Sequence, residues 1–288
     1  MVYTVPAASR WLTAGISQQY THASAQYQYR EDRQRPVDTN PTRRFPYPLM
    51  LVAIHQPNFL LRPKVLDKLL AADLTIWLDD VQYARREWQN RALLRDPSGE
   101  PHWLSVPVLT KGYRDATIAE CEIATSDDWG QRHLRTIQRF YARSPWLRDA
   151  ELKMAELWAE SPTHLAPFAI ESAECIADLL GKEIPSVLAS SIAVPGRRTS
   201  HLVALCQAVG ASAYLTGSGG LTYLDFNSFR ETGIEVLIQT DMDPLGPLND
   251  AWRRFSSLDY ILTNGPQEFE TTLLRGQYVD AGAGVGDS

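Results

Sequence analysis

Cysteine is scarce. The 288 residues hold three, Cys121, Cys175 and Cys206, and none forms a C-x-x-C pair. Neither a zinc site nor a redox dithiol is expected from them. Cys175 and Cys206 fall on apolar helical patterns and read as buried packing thiols, in keeping with a reducing cytoplasm. Long apolar runs are missing as well, and nothing approaches the ~20 residues of a membrane-spanning helix. The first residues lack an apolar core followed by a small-residue cleavage site, so no secretory leader and no membrane partner are expected. Paired histidines are also missing. His133, His164 and His201 lie in helical patterns without H-x-x-x-H or H-E-x-x-H spacing, which argues against a zinc hydrolase and leaves no metal site in view. A basic excess is missing from the body of the chain. The net charge is −6, and residues 1–49 hold six arginines against three acids, so 22 basic and 31 acidic residues remain after them, a net −9. Phosphate attraction supplies much of nucleic-acid affinity, so such a body is not expected to bind nucleic acid.

What is present is ordinary globular composition, with 44% hydrophobic and 22% charged residues. A chain this long can bury a substantial core. Residues 1–49 are rich in Gln, Tyr, Arg, Pro and Ser, without periodicity, and prolines 36, 41, 46 and 48 break up the end of the stretch. They read as a disordered N-terminal extension, with a basic arm as the alternative. Residues 50–276 read as a single domain. Residues 277–288, ending AGAGVGDS, read as a disordered tail.

The chain is organised around residues 51–91. Leu51-Val52-Ala53-Ile54 is long enough for a buried parallel strand, and it stops at His55-Gln56-Pro57-Asn58. Pro57 has no amide hydrogen, so the strand leaves the sheet there. Val65, Leu66, Leu69 and Leu70 then follow a helical period, with Lys64, Asp67 and Lys68 between them. A second apolar run, Leu74–Leu78, ends at Asp79-Asp80. Polar groups thus follow the carboxyl ends of both strands, where open parallel sheets bind ligands.

Downstream, Ala92–Arg95 and His102–Val108 flank the turn Asp96-Pro97-Ser98-Gly99 as a hairpin. Thr117–Ile123 alternates as a short strand. Helices are expected from Ser126 to Ser144, over about 148–160, and over about 163–180 ending at Gly181. Further strands are expected over Ser186–Ile192, Ser212–Leu215 and Glu235–Gln239. Between them lie helices from Thr199 to Gly210 and over Tyr223–Thr232, and a short helix follows near Leu258–Leu262. Strands alternating with helices at both ends of the chain predict an α/β fold with a central, mostly parallel sheet of Rossmann-like type. The hairpin and a helical segment at about 126–181 are inserted between its halves.

Ile54-His55-Gln56-Pro57-Asn58, Asp79-Asp80-Val81-Gln82 and Trp88-Gln89-Asn90-Arg91 together resemble the WbqC-like protein family. Trp103-Leu104-Ser105-Val106-Pro107-Val108, Lys111-Gly112, Gly217-Ser218-Gly219-Gly220 and Tyr223-Leu224-Asp225 extend the resemblance to roughly residues 51–265. It implies a place in bacterial surface-polysaccharide or natural-product biosynthesis. The position of His55 is also similar to that in nucleotidyltransferase-like folds, where a His after the first strand stabilises a phosphoryl transition state. The second His of those proteins is absent, and Asn58 stands instead.

His55 is the leading acid–base candidate, because imidazole titrates near neutral pH; a structural histidine is the plainer reading. Asp79 and Asp80 are adjacent, so on an extended backbone at most one shares a pocket with His55. That one would be an acid–base partner, a weak magnesium ligand or a loop cap. Gln56, Asn58, Gln82, Trp88, Gln89, Asn90 and Arg91 suit a sugar or nucleotide: a stacking face, amides and a guanidinium fork. Trp88 packed in the core is the competing reading. Lys111 is placed to reach an anion or to sit in water. Gly217, Ser218, Gly219 and Gly220 follow a strand and can aim amides at an anion. They form neither a Walker loop nor a nucleophile elbow. Asp225 orients this loop or a substrate hydroxyl.

Two chemistries are expected for a small-molecule substrate. In one, a transferase forms an amide by acyl or aminoacyl transfer to an amine, from a carrier-protein or coenzyme A thioester. In the other, a nucleotide and Mg²⁺ support adenylyl or nucleotidyl transfer. A non-catalytic ligand-binding protein of a biosynthetic complex is the third possibility.

Overall fold

The first unit, residues 51–77, forms as its pattern predicts. In a computed structural model the described residues are 50–109, 115–124, 128–159, 162–240 and 248–281, all within one compact unit, Arg44–Ser288. The N-terminal extension lies outside them. Strand β1 (Leu51–His55) is followed by α1 (Pro63–Ala71) and β2 (Leu74–Trp77). Pro63 occupies the first turn of α1, where its missing N–H costs nothing. Val52 pairs with Leu74 and His55 with Trp77, in parallel.

Two more parallel strands extend this pair. β5 (Ser186–Leu188) adds to β2, and β6 (Ala213–Thr216) adds to β1. β7 (Glu235–Gln239) lies parallel to β6, and β8 (Tyr278–Asp280) closes the edge antiparallel to β7. The sheet order is therefore β5-β2-β1-β6-β7-β8. Five parallel strands in this order make the Rossmann-like α/β fold. Its direction reverses between β1 and β6, and doubly wound sheets open a ligand crevice at that switch point. β3 (Arg91–Arg95) and β4 (Pro101–Ser105) form a separate antiparallel hairpin, as expected.

The two sheet faces are covered differently. Val52, Ile54, Ile76, Tyr214 and Val236 pack against α6 (Thr199–Ala208) and α7 (Phe226–Glu231). Ala53 and Trp77 face α1 and the larger core. That core also takes in the hairpin and α2 (Trp129–Phe140), α3 (Leu147–Ala159) and α4 (Leu165–Leu179). Its centre is aromatic: Trp129, His133, Trp158 and Phe168 meet edge to face or tilted, with centroids 5.3–6.3 Å apart.

Several expected elements differ. Thr117–Ile123 makes only isolated bridges, because Thr117 pairs with Gln82 while Ile123 pairs with Val108. The expected strand to Ile192 stops at Leu188, and α5 (Ala189–Ile192) follows. The Asp79 carboxylate accepts from the Ser190 amide at 2.9 Å and its hydroxyl at 2.6 Å, fixing that turn. Tyr278–Asp280 is a strand where a disordered tail was expected, since β7 offers an edge that this segment completes.

Three helices close the domain: α8 (Leu248–Arg253), α9 (Ser257–Asn264) and α10 (Pro266–Leu273). Gly265 separates the last two at φ 96°, and a Cβ there would overlap the Trp146 ring. The buried Asp259 of α9 accepts from the Arg95 amide and the Tyr141 hydroxyl, each at 2.7 Å, and pairs with the Arg95 guanidinium. One carboxylate thus ties the hairpin, α2's end and α9 together.

Candidate functional site

The carboxyl end of β1 delivers His55 on the face that carries Ala53, the side covered by α1. Its Nδ1 lies 3.4 Å from Lys68 Nζ, and its Nε2 lies 3.3 Å from Asn58 Oδ1. The Asn58 amide nitrogen donates to the Pro57 carbonyl at 3.0 Å, which turns Oδ1 toward the imidazole. A carbonyl oxygen only accepts, so the His55 proton sits on Nε2 and its lone pair on Nδ1. Lys68 Nζ donates to the Ile54 carbonyl at 3.0 Å and is buried.

Electrostatics follow from this burial. Desolvation, with the positive charges of Lys68 and Arg62, holds His55 well below its usual 6.5. Desolvation, with Lys64 beside it, pulls Lys68 down to about 7. The pair therefore offers a neutral imidazole and an amine that titrates near physiological pH.

β6 runs beside β1, so its carboxyl end opens onto the same crevice. Ser218 Oγ accepts from Lys64 Nζ at 2.9 Å, which brings the glycine-rich loop against α1. A short 3-10 turn spans Ser218–Thr222. Gly220 is buried against Thr216 and admits no Cβ, and its amide already donates to the Gly217 carbonyl at 2.8 Å. Gly217 and Gly219 face open space. His55, Asn58 and Ser218 thus lie at one edge of the sheet, although His55 and Ser218 are 163 positions apart in the chain.

The expected carboxylate partner of His55 does not form. The Asp79 amide donates to the Trp77 carbonyl at 2.9 Å, a tight turn that ends the strand's alternation. Asp79 is buried and binds Ser190, a structural role. Asp80 bonds His201 Nε2 at 2.9 Å, on the helix that covers the opposite face. Replacing Asp79 by alanine should cost ~1–3 kcal/mol, because the two hydrogen bonds from Ser190 to its carboxylate are lost. Thermal melts check this, and the pH–rate profile should keep its shape.

The Trp88–Arg91 block mostly knits loops. The buried Gln89 donates to Gln56 Oε1 and accepts from the Ala84 amide, both at 2.9 Å. Asn90 donates to the Val106 carbonyl at 2.8 Å. Trp88 is neither a core residue nor an open stacking face: Arg62 covers it at 4.2 Å and Trp103 meets it at 5.1 Å. Arg91 lies over Trp103 at 4.1 Å and donates to the Arg86 carbonyl. Gln82 is exposed and bridges Thr117. Asp225 caps α7, accepting from Asn227 N at 3.1 Å and Ser228 Oγ at 2.7 Å. Lys111 lies outside the described residues.

Three residues escaped the sequence reading. Lys68 was readable: Leu61, Val65, Lys68 and Ala72 follow the 3–4 residue helical spacing, which puts a lysine inside an apolar stripe. Lys64, one turn earlier, shares its side. His201 carried no such signal, since its partner Asp80 is 121 positions away.

Residues 56–271 match the WbqC-like protein family. The chain belongs to that family. A Mycobacterium tuberculosis (strain ATCC 25618 / H37Rv) relative, "Uncharacterized protein Rv1507c", is 28% identical over 232 residues, covering 75% of this chain and 94% of the relative. No solved structure matches this chain significantly. Among the described residues, no helix of this WbqC-like protein is long and apolar enough to cross a membrane.

Proposed function

We propose that this protein is a transferase of surface-glycan or specialised-metabolite biosynthesis that forms an amide, passing an acyl or aminoacyl group from a thioester to an amine. The observation that carries the reading is the His55–Lys68 pair at the β1–β6 switch point. His55 is held neutral, with its lone pair on Nδ1, so it can take a proton. In the step, the amine nitrogen attacks the thioester carbonyl, and the C–N bond forms as the C–S bond breaks. The amine's proton passes to His55 Nδ1 and then to the departing thiolate, giving amide and thiol. The family's setting in glycan and natural-product gene clusters supports the acceptor class.

A second reading, nucleotidyl transfer, draws on Arg62, Lys64 and Lys68, which supply cations near His55 that phosphates need. For its magnesium, no group of three His, Cys, Asp or Glu side chains gathers among the described residues. Asp79 and Asp80 are committed to Ser190 and His201, so this donor set does not fit the ion. Mass spectrometry of reactions with acyl and aminoacyl thioesters and an amino-sugar panel tests the proposal. Amide product is expected. Pyrophosphate release from a nucleotide, without any amide, would replace it by the second reading.

A further inference from the structure

The open lone pair of His55 faces an amine of the protein itself. Its Nε2 proton is committed to Asn58 Oδ1 at 3.3 Å, and Lys68 Nζ lies 3.4 Å from its Nδ1. Asn58 is held in turn by the Pro57 carbonyl. Lys68, His55 and Asn58 therefore stand in a row as nucleophile, base and orienting group, the arrangement that activates side chains for covalent catalysis. Lys68 Nζ also donates to the Ile54 carbonyl at 3.0 Å, which anchors it at the carboxyl end of β1, beside the switch point.

The other lysines lack this company. The chain has five, of which Lys111 lies outside the described residues. Lys153 pairs with Asp178, and Lys182 with Glu270 at 3.4 Å. Lys64 donates to Ser218 and lies 5.2 Å from the Trp252 ring. Of the four described, Lys68 is the buried one, and it is the one set against an imidazole. Burial, and then the charge of Lys64, bring it down to about 7, whereas an ordinary lysine titrates at ~10.4. Both causes are the usual means of making a lysine nucleophilic.

We propose that Lys68 is a covalent nucleophile, activated by His55, that condenses with the aldehyde or ketone of a small-molecule substrate to form an imine. The inference goes beyond the amide reading and needs of it only that the β1–β6 crevice admits substrate. The Nζ lone pair attacks the carbonyl carbon, and the C=O π pair moves to oxygen. His55 Nδ1 takes one proton from Nζ and returns it to that oxygen, giving the carbinolamine. The nitrogen lone pair then expels hydroxide, which takes the remaining Nζ proton by way of His55 and leaves as water. One amine and one carbonyl thus give one imine and one water. A carbonyl suits this lysine better than a thioester, because an acylated lysine is a stable amide and would end turnover, whereas an imine is reversible.

Reductive trapping tests this. The full chain is incubated at pH 8 with sodium pyruvate or with dihydroxyacetone, reduced with cyanoborohydride, and mapped by peptide mass spectrometry. Lys68 should gain the mass of the carbonyl compound less one oxygen, about tenfold or more faster than any other lysine, since an ordinary lysine is almost entirely ammonium at that pH. Faster trapping of pyruvate assigns a 2-oxo acid, and faster trapping of dihydroxyacetone a neutral sugar ketone. His55→Gln should slow labelling of Lys68 ~10²-fold or more. Lys68→Met should remove the adduct. Melting temperatures check the fold of each variant. Should His55→Gln melt lower, Asn58→Ala, which keeps the imidazole but frees its ring, should still slow labelling. Adducts on other lysines with Lys68 unmodified, or labelling of Lys68 that neither His55→Gln nor Asn58→Ala slows, overturn the proposal. Amide formation without Lys68 labelling would keep the transferase reading and remove the imine. Labelling that depends on His55, without amide formation, would do the reverse.

Discussion

Replacing His55 by glutamine is expected to lower product formation ~10²–10⁴-fold, the usual contribution of a general acid–base group. Glutamine is similar in length, and its amide N–H can keep the contact to Asn58 Oδ1 that Nε2 makes. What it lacks is the basic lone pair that His55 presents at Nδ1. The melting temperature should therefore hold while turnover falls. A histidine that only supports the fold gives the opposite pattern: a loss of ~1–3 kcal/mol in stability with turnover nearly intact. The pH dependence adds a second readout. The base works only unprotonated, and its pKa in the empty site lies well below 6.5. The acid limb of wild-type kcat/KM should then lie well on the acid side of 6.5.

Asp259→Ala is expected to cost ~1–3 kcal/mol, the effect of leaving a buried donor, the Tyr141 hydroxyl, without its acceptor, while the Arg95 side chain, 32% exposed, can turn to water. Asp259 is fully buried, and its two oxygens serve the Arg95 amide, the Arg95 guanidinium and the Tyr141 hydroxyl. Without it, the buried Tyr141 hydroxyl and the Arg95 amide lose their acceptor, and the guanidinium loses its counter-charge. Asp259→Asn keeps the shape and one acceptor, so it should cost less than the alanine variant. Chemical denaturation of the two variants checks the order. Equal midpoints for wild type and Asp259→Ala would mean that the hairpin is held by packing alone. A drop in stability here also separates structural loss from the effect of His55→Gln, because Asp259 lies on the hairpin side of the molecule and contacts none of the site residues.

The parts of this fold that were legible are those coded locally. β1, α1 and β2 each announce themselves within a few residues: an apolar run cut by Pro57, a 3.6-residue period, and a second run ended by two acids. The hairpin was legible for the same reason, through Asp96-Pro97-Ser98-Gly99. The expected strand to Ile192 was cut short by a side chain far away, since Asp79 binds Ser190 across 111 positions. β8 was invisible because its three residues are stabilised by pairing with β7 rather than by their own pattern. The site shows the same division. The loop positions of His55, Asn58 and Ser218 followed from strand ends. The loss of Asp79 and Asp80 as partners came from a turn at Trp77–Asp79 that two adjacent acids do not encode. Lys68 was the residue most open to discovery, since a charge within an apolar helical stripe either finds a buried partner or waits for one.

The central claim is that substrate sits at the switch point between β1 and β6, against the His55–Lys68 pair. A crystal structure of the full chain with an amino sugar tests it most directly. The account predicts ligand density between His55 and Ser218, with the amine facing His55 Nδ1. Density on the opposite face, against the Asp80–His201 pair, with the β1–β6 crevice holding only water, would contradict it.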